Sequence, residues 1–115
     1  MNVSMGLVSH DDILLTDWNG SILGPHGSIF DNRLYELRIS CGPDYPSKPP
    51  SVRFASRINL PHVNQSTGVV EASLPVFQTW SRSGTIESVL VALRTLMSTP
   101  QNRRLSQPPD GAMFE

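Results

Sequence analysis

The sequence has little cysteine, little lysine and no excess of charge. Its 115 residues include one cysteine, Cys41, and one lysine, Lys48, and the formal net charge is −1. A single cysteine excludes an internal disulfide and any cysteine-rich zinc site. Non-specific binding to nucleic acid requires a basic excess, so we expect no nucleic-acid partner.

Long apolar runs are also missing. No stretch approaches the roughly 20 apolar residues that cross a bilayer, and the N-terminus lacks the basic and apolar regions of a signal peptide. We therefore expect no membrane association and a reducing location in the cytoplasm and nucleus. No repeat or linker divides the sequence, and its length suits a single domain over residues 1–115.

Short segments of alternating polarity predict a small β-sheet. In the clearest of them Tyr35, Leu37 and Ile39 share one face with Cys41, while the residues between them are polar. The predicted strands are 18–23, which enters a turn at 24–27, then 34–41, then 51–54, and a fourth near Ile58 or Val69 and Val70.

One helix is predicted over residues 85–98. Ile86, Val89, Leu90 and Leu93 follow helical spacing, and Thr85 has the side chain of an N-cap residue. Pro100 prevents the helix from continuing. Strands followed by a helix favour an α+β fold in which the helix covers the sheet. Residues 105–111 are expected to form an ordered, extended tail.

The residue types used in catalysis do not form a recognisable group. Cys41 lies on the apolar face of its strand, which predicts a buried thiol with a raised pKa and a structural role. His10, His26 and His62 lack the spacing of metal ligands, and no glycine-rich phosphate loop is present. We expect neither a metal nor a cofactor.

An ordered series of motifs carries the strongest functional signal. Residues 45–50 read Tyr-Pro-Ser-Lys-Pro-Pro, His62 and Asn64 flank Val63, and Gly68 precedes Glu71 by three positions. This order resembles the ubiquitin-conjugating enzymes, whose catalytic cysteine follows a glycine at about that distance. Glu71 stands at the matching place, and a carboxylate cannot replace the thiolate that accepts ubiquitin as a thioester. The sequence thus resembles the ubiquitin-conjugating enzyme variants, which are catalytically inactive.

The match is closer to the variants that build lysine-63-linked ubiquitin chains with an active enzyme. Their motifs are similar to residues 18–25, 31–35, 41–46 and 107–111 of this sequence. The resemblance implies an antiparallel four-stranded meander packed on one main helix, with the N-terminal helix and the last two helices absent. The seventeen residues before Trp18 resemble the linker that follows the N-terminal helix in relatives. We therefore expect this chain alone to engage and stimulate a partner enzyme only weakly, and adding such a helix to restore stimulation.

The resemblance also implies partners and site residues. The expected function is to pair with an active ubiquitin-conjugating enzyme and to orient acceptor ubiquitin for lysine-63-linked chain synthesis, an activity associated with DNA damage tolerance. Positions thought to contact acceptor ubiquitin correspond to Ser4, Ser21 and Leu34, and a contact with the partner enzyme is expected around Gly24, Pro25 and His26. Asn64 matches the asparagine thought to stabilise an oxyanion in active relatives; here we interpret it as a turn residue.

Two other functions remain open at this point. The first is a non-catalytic adaptor domain that binds ubiquitin and proline-rich peptides. The second is a true conjugating enzyme that uses Cys41 as its nucleophile, which a reducible adduct of ubiquitin on Cys41 would reveal.

Overall fold

The structure is a computed structural model, and it describes residues 3–7, 17–109 and 111–114. Four strands form one antiparallel meander in the order β1-β2-β3-β4. The strands are β1 (Val3–Leu7), β2 (Asp17–Leu23), β3 (Leu34–Ser40) and β4 (Ser51–Phe54). The α+β prediction and the strands predicted at 18–23, 34–41 and 51–54 are confirmed, each to within one residue at either end.

The predicted position of the remaining strand is wrong. Val69 and Val70 form only isolated bridges, with Arg53 and Val63 respectively, and Ile58 lies outside the strands. The remaining strand is β1, in the segment that the resemblance assigned to a linker. Its five residues carry a weak pattern, and pairing with β2, which places Val3 opposite Ile22, makes it a strand.

The two faces of the sheet differ in burial. On β3 the side chains of Tyr35, Leu37 and Ile39 are buried, whereas those between them are exposed, as the alternation predicts. We call the exposed side the outer face of the sheet. It carries Ser4, Gly6, Asp17, Asn19, Ser21, Leu23, Leu34, Glu36, Arg38, Ser40, Ser51 and Arg53.

Helix α2 (Ile86–Met97) packs on the inner face and confirms the predicted helix. The Thr85 hydroxyl accepts a hydrogen bond from the Ser88 N–H at 3.1 Å, and the Ser88 hydroxyl accepts one from the Thr85 N–H at 3.0 Å. This reciprocal cap satisfies two backbone donors that the first helical turn would leave unpaired. A short helix, α1 (Pro75–Gln78), precedes α2 and is not predicted from the sequence.

The segment after α2 is ordered without regular structure, as predicted for the tail. The Gln107 side chain accepts a hydrogen bond from the Asn59 N–H at 2.8 Å and donates one to the Asn59 carbonyl at 2.7 Å. Phe114 is buried in the core. Within the described residues no helix has the length and apolarity to span a membrane.

Candidate functional site

A shallow groove on the outer face brings together three of the predicted site residues. Ser4 and Ser21 stand directly opposite each other on β1 and β2, and their hydroxyl oxygens are 2.5 Å apart. Leu34 begins β3 and is 61% exposed. All three line the same groove of about 460 Å³. The register of the sheet therefore gathers residues that lie as much as thirty positions apart in the sequence.

Exposed apolar side chains extend this groove at the Leu34 end. Leu23 is directly opposite Leu34 on β2 and is 42% exposed. Leu34 and the exposed Met113 also line an adjoining cleft of about 170 Å³. The sequence alone does not single out Leu23 or Met113, because their proximity to Leu34 follows from strand pairing and from the path of the tail. Adjacent exposed apolar groups are typical of a surface that contacts another protein.

The turn predicted to contact a partner enzyme exposes one of its three named side chains. Gly24 is buried, and a Cβ atom there would lie 1.8 Å from the Phe30 carbonyl oxygen, so this position requires glycine for packing. Pro25 is also buried. The His26 side chain is 98% exposed and lies 3.0 Å from an Asp31 carboxylate oxygen. Contact with a partner at this turn stays a prediction, and His26 is the side chain available to make it.

Asp31 holds this turn in place. Its carboxylate accepts a hydrogen bond from the Gly27 N–H at 3.1 Å. That hydrogen bond, with a smaller contribution from the charge of His26, lowers the pKa of Asp31 below its ordinary value. The carboxylate is therefore charged at neutral pH and anchors the exposed end of the turn.

The loop that matches the catalytic segment of conjugating enzymes uses its asparagine for structure. The Asn64 side-chain oxygen accepts hydrogen bonds from the backbone N–H groups of Ser66 and Thr67, at 2.8 and 3.1 Å. This arrangement is a local turn of the kind asparagine commonly makes. The interpretation of Asn64 as a turn residue is confirmed.

Glu71 lies on the surface beside this loop. Its backbone N–H donates to the His62 carbonyl at 2.7 Å, and its side chain is exposed. His62 has a φ of 67° and its Nδ1 atom is 2.8 Å from the Ser73 hydroxyl oxygen. These contacts fix the loop in which Glu71, the residue that the resemblance aligns with the family nucleophile, is exposed.

Cys41 is buried, as the alternation of β3 predicts. Its side chain is 5% exposed and belongs to the hydrophobic core. Burial, together with the negative charge of Asp17, raises the pKa of the thiol. A protonated, enclosed thiol is a poor nucleophile. Across residues 3–7, 17–109 and 111–114, no three His, Cys, Asp or Glu side chains form a group able to hold a metal ion.

Comparison with known proteins places this architecture in a family. The family model described as ubiquitin-conjugating enzyme matches residues 2–113. The chain is 50% identical to the ubiquitin-conjugating enzyme variant MMS2 of Saccharomyces cerevisiae, over 96% of this chain and 81% of that protein. It is 46% identical to the ubiquitin-conjugating enzyme E2 variant 1D of Arabidopsis thaliana, over 97% of this chain and 77% of that protein.

Solved structures share the fold. The human ubiquitin-conjugating enzyme E2 G1 superimposes with a TM-score of 0.75 at 23% identity, over 86% of this chain and 81% of that one. A ubiquitin-conjugating enzyme described as putative, from Plasmodium yoelii, superimposes with a TM-score of 0.74 at 28% identity, over 87% of this chain and 62% of that one. The arrangement of sheet and helix is therefore that of the conjugating enzymes.

Proposed function

The chain belongs to the ubiquitin-conjugating enzyme family, where it groups with the variants, and from this membership we propose that it is a non-catalytic partner of an active conjugating enzyme. In this proposal the partner carries donor ubiquitin as a thioester. The chain holds acceptor ubiquitin on its outer face, with one lysine directed at that thioester, and the product is a lysine-63-linked chain. The convergence of Ser4, Ser21 and Leu34 in one groove is the observation that carries the proposal.

The state of the thiol supports a non-catalytic function. Cys41 is the single cysteine of the sequence, and it is 5% exposed. Formation of a thioester requires a thiolate that the donor can approach, and burial disfavours both the charge and the access. Glu71, at the position matching the family nucleophile, supplies an acceptor of hydrogen bonds and no sulfur.

The composition of the groove supports contact with a protein. Two hydroxyl groups lie beside an exposed leucine, so the surface offers an apolar anchor with polar neighbours. Orientation of two reactants can lower a reaction barrier by about 7–11 kcal/mol in ideal cases. The acceptor contact needs only modest affinity, since attachment to the partner enzyme raises the local concentration. Linkage then follows from which lysine points at the thioester.

The proposed partner is an active conjugating enzyme, and the proposed location of the complex is the cytoplasm and nucleus. A heterodimer with the active enzyme would use the turn at His26, the exposed side chain of that turn. The complex would work in the cytoplasm and nucleus, where the reducing environment preserves the partner's thiol.

Leu34→Arg tests the acceptor contact. A charge in an apolar contact is expected to reduce the yield of lysine-63-linked diubiquitin by about tenfold, as for the loss of a well-placed interface residue. The assay contains activating enzyme, ATP, ubiquitin and an active conjugating enzyme of the type that builds these chains. Thermal unfolding by circular dichroism checks that the variant folds.

Val91→Arg is the matched control. Val91 is 46% exposed on α2, which packs on the opposite face of the sheet, so the same substitution adds the same charge away from the groove. The yield of lysine-63-linked diubiquitin with Val91→Arg should equal the yield with the unmodified chain. An unchanged yield with folded Leu34→Arg would contradict the proposal.

A further inference from the structure

Two arginines stand directly opposite each other on the outer face. The register of β3 and β4 pairs Arg38 with Arg53, and both side chains are exposed. Residues directly opposite in an antiparallel pair have Cβ atoms about 4.5–5.5 Å apart, and like charges at such positions destabilise the sheet. A contact that neutralises one or both charges would remove this repulsion.

Among residues 3–7, 17–109 and 111–114, no ion pair supplies such a contact. The ion pairs in the described residues are His26 with Asp31 and Lys48 with Asp44, and neither involves an arginine. The Arg38 guanidinium makes one hydrogen bond, from Nη1 to the Leu37 carbonyl at 3.3 Å. Asp17 and Glu36 lie on the same face, and in the part of the chain that the structure describes neither is ion-paired with these two arginines.

The arginine pair borders a second groove that is continuous with the first. Arg38 and Arg53 line a groove of about 330 Å³ together with Val52 and the exposed Val69. Arg38 also lines the groove that contains Ser4, Ser21 and Leu34. Arg38 and Leu34 lie four residues apart on β3, about 13 Å along the strand. One continuous surface therefore has an apolar end and a cationic end.

We propose that Arg38 and Arg53 bind a carboxylate of the acceptor ubiquitin, as a second contact beside the one at Leu34. This inference rests on the proposed function. A guanidinium group presents a planar fork of N–H donors that matches a carboxylate. An apolar anchor alone leaves a bound protein free to rotate about it, whereas a charged contact about 13 Å away fixes the rotation. Linkage selectivity requires that the rotation be fixed.

A carboxylate on a protein fits this surface better than nucleic acid. Two exposed arginines in a chain of net charge −1 give no extended basic stripe, which binding to a phosphate backbone requires. The exposed Val69 in the same groove also offers an apolar contact to a protein surface.

The test replaces the arginines by glutamine, singly and together. The affinity for ubiquitin is measured by NMR titration of the isotope-labelled chain at low salt, beside thermal unfolding. We expect Arg38→Gln and Arg53→Gln each to weaken binding by about twofold to fivefold, the range for one exposed ion pair. The unfolding temperature should stay constant or rise, because a repulsion is removed. If the two arginines served only to stabilise the sheet, replacing them would lower the unfolding temperature.

Arg104→Gln provides the matched control. Arg104 is exposed in the segment after α2, so its loss changes the net charge equally without altering the outer face. Its affinity should equal that of the unmodified chain. Added salt should weaken ubiquitin binding by the unmodified chain more than binding by the double variant, because salt screens the ion pairs that the double variant lacks.

The outcomes separate this inference from the proposed function. If Leu34→Arg weakens ubiquitin binding and the double arginine variant does not, the arginine contact is wrong and the proposed function stands. If the unmodified chain fails to bind ubiquitin even in the presence of the active enzyme, both are wrong. Equal weakening by Arg104→Gln, or binding of a single-stranded oligonucleotide that only the double variant loses, would also overturn the arginine contact.

Discussion

At the scale of single residues, exposure separates positions that can act from positions that hold the fold. Leu34 is 61% exposed, whereas Cys41 is 5% exposed. The same contrast divides the turn at Gly24, because that glycine packs against the Phe30 carbonyl while His26 extends into solvent. A substitution at Gly24 would thus report on folding, and one at His26 on binding.

The buried state of Cys41 gives a direct prediction about its reactivity. Alkylation by iodoacetamide near pH 8 should be slower by about tenfold or more in the folded chain than in urea, because burial raises the pKa of the thiol and limits access. Mass spectrometry of timed samples measures the rate. Equal rates in the two states would contradict the description of Cys41 as a core residue.

The burial of a residue can be predicted from the sequence more readily than its neighbours on other strands. The burial of Cys41 follows from continuing the alternation of β3 by one residue, so the sequence is sufficient. The neighbourhood of Ser4 and Ser21 depends on the pairing of two strands, and the Arg38–Arg53 pair depends on the register across the proline-rich loop at 43–50. Register between strands is set by packing of the whole sheet, which no local pattern contains.

At the scale of elements, local signals predict α2 well and β1 poorly. Thr85 supplies a cap, and the apolar stripe from Ile86 onward has helical spacing, so both ends and one face of α2 can be predicted. By contrast, β1 has five residues, including Gly6 and the exposed Ser4 and Met5. Its extended conformation is secured by hydrogen bonds to β2, which is a tertiary effect.

The cap of α2 makes a prediction about stability. Thr85→Ala removes the acceptor for the Ser88 N–H and should lower the free energy of unfolding by about 1 kcal/mol. Thr95→Ala, at an exposed position within the same helix, should be neutral or slightly stabilising, because alanine has the higher helix propensity. Urea denaturation measures both. If Thr95→Ala lowered the free energy of unfolding as much as Thr85→Ala, the cap hydrogen bond would not be the cause of the loss.

At the scale of the whole molecule, the two faces of the sheet differ in what they contact. The inner face packs on α2 and forms the core, whereas the outer face carries exposed side chains from all four strands. Substitutions on the outer face should therefore change binding with little effect on stability. The reverse is expected for residues that face α2. Such a division suits a protein that positions another without altering it chemically.

The most direct test determines which lysine is linked in the diubiquitin that an active conjugating enzyme forms, with and without this chain. Mass spectrometry of the product identifies the linked lysine, and a non-reducing gel detects any thioester. With the chain in large excess over the active enzyme, to offset its weak binding, we predict that it increases the lysine-63-linked fraction by at least about tenfold, a small part of what orientation can supply, and carries no ubiquitin itself. An unchanged linkage distribution, or a reducible adduct on Cys41, would contradict the account.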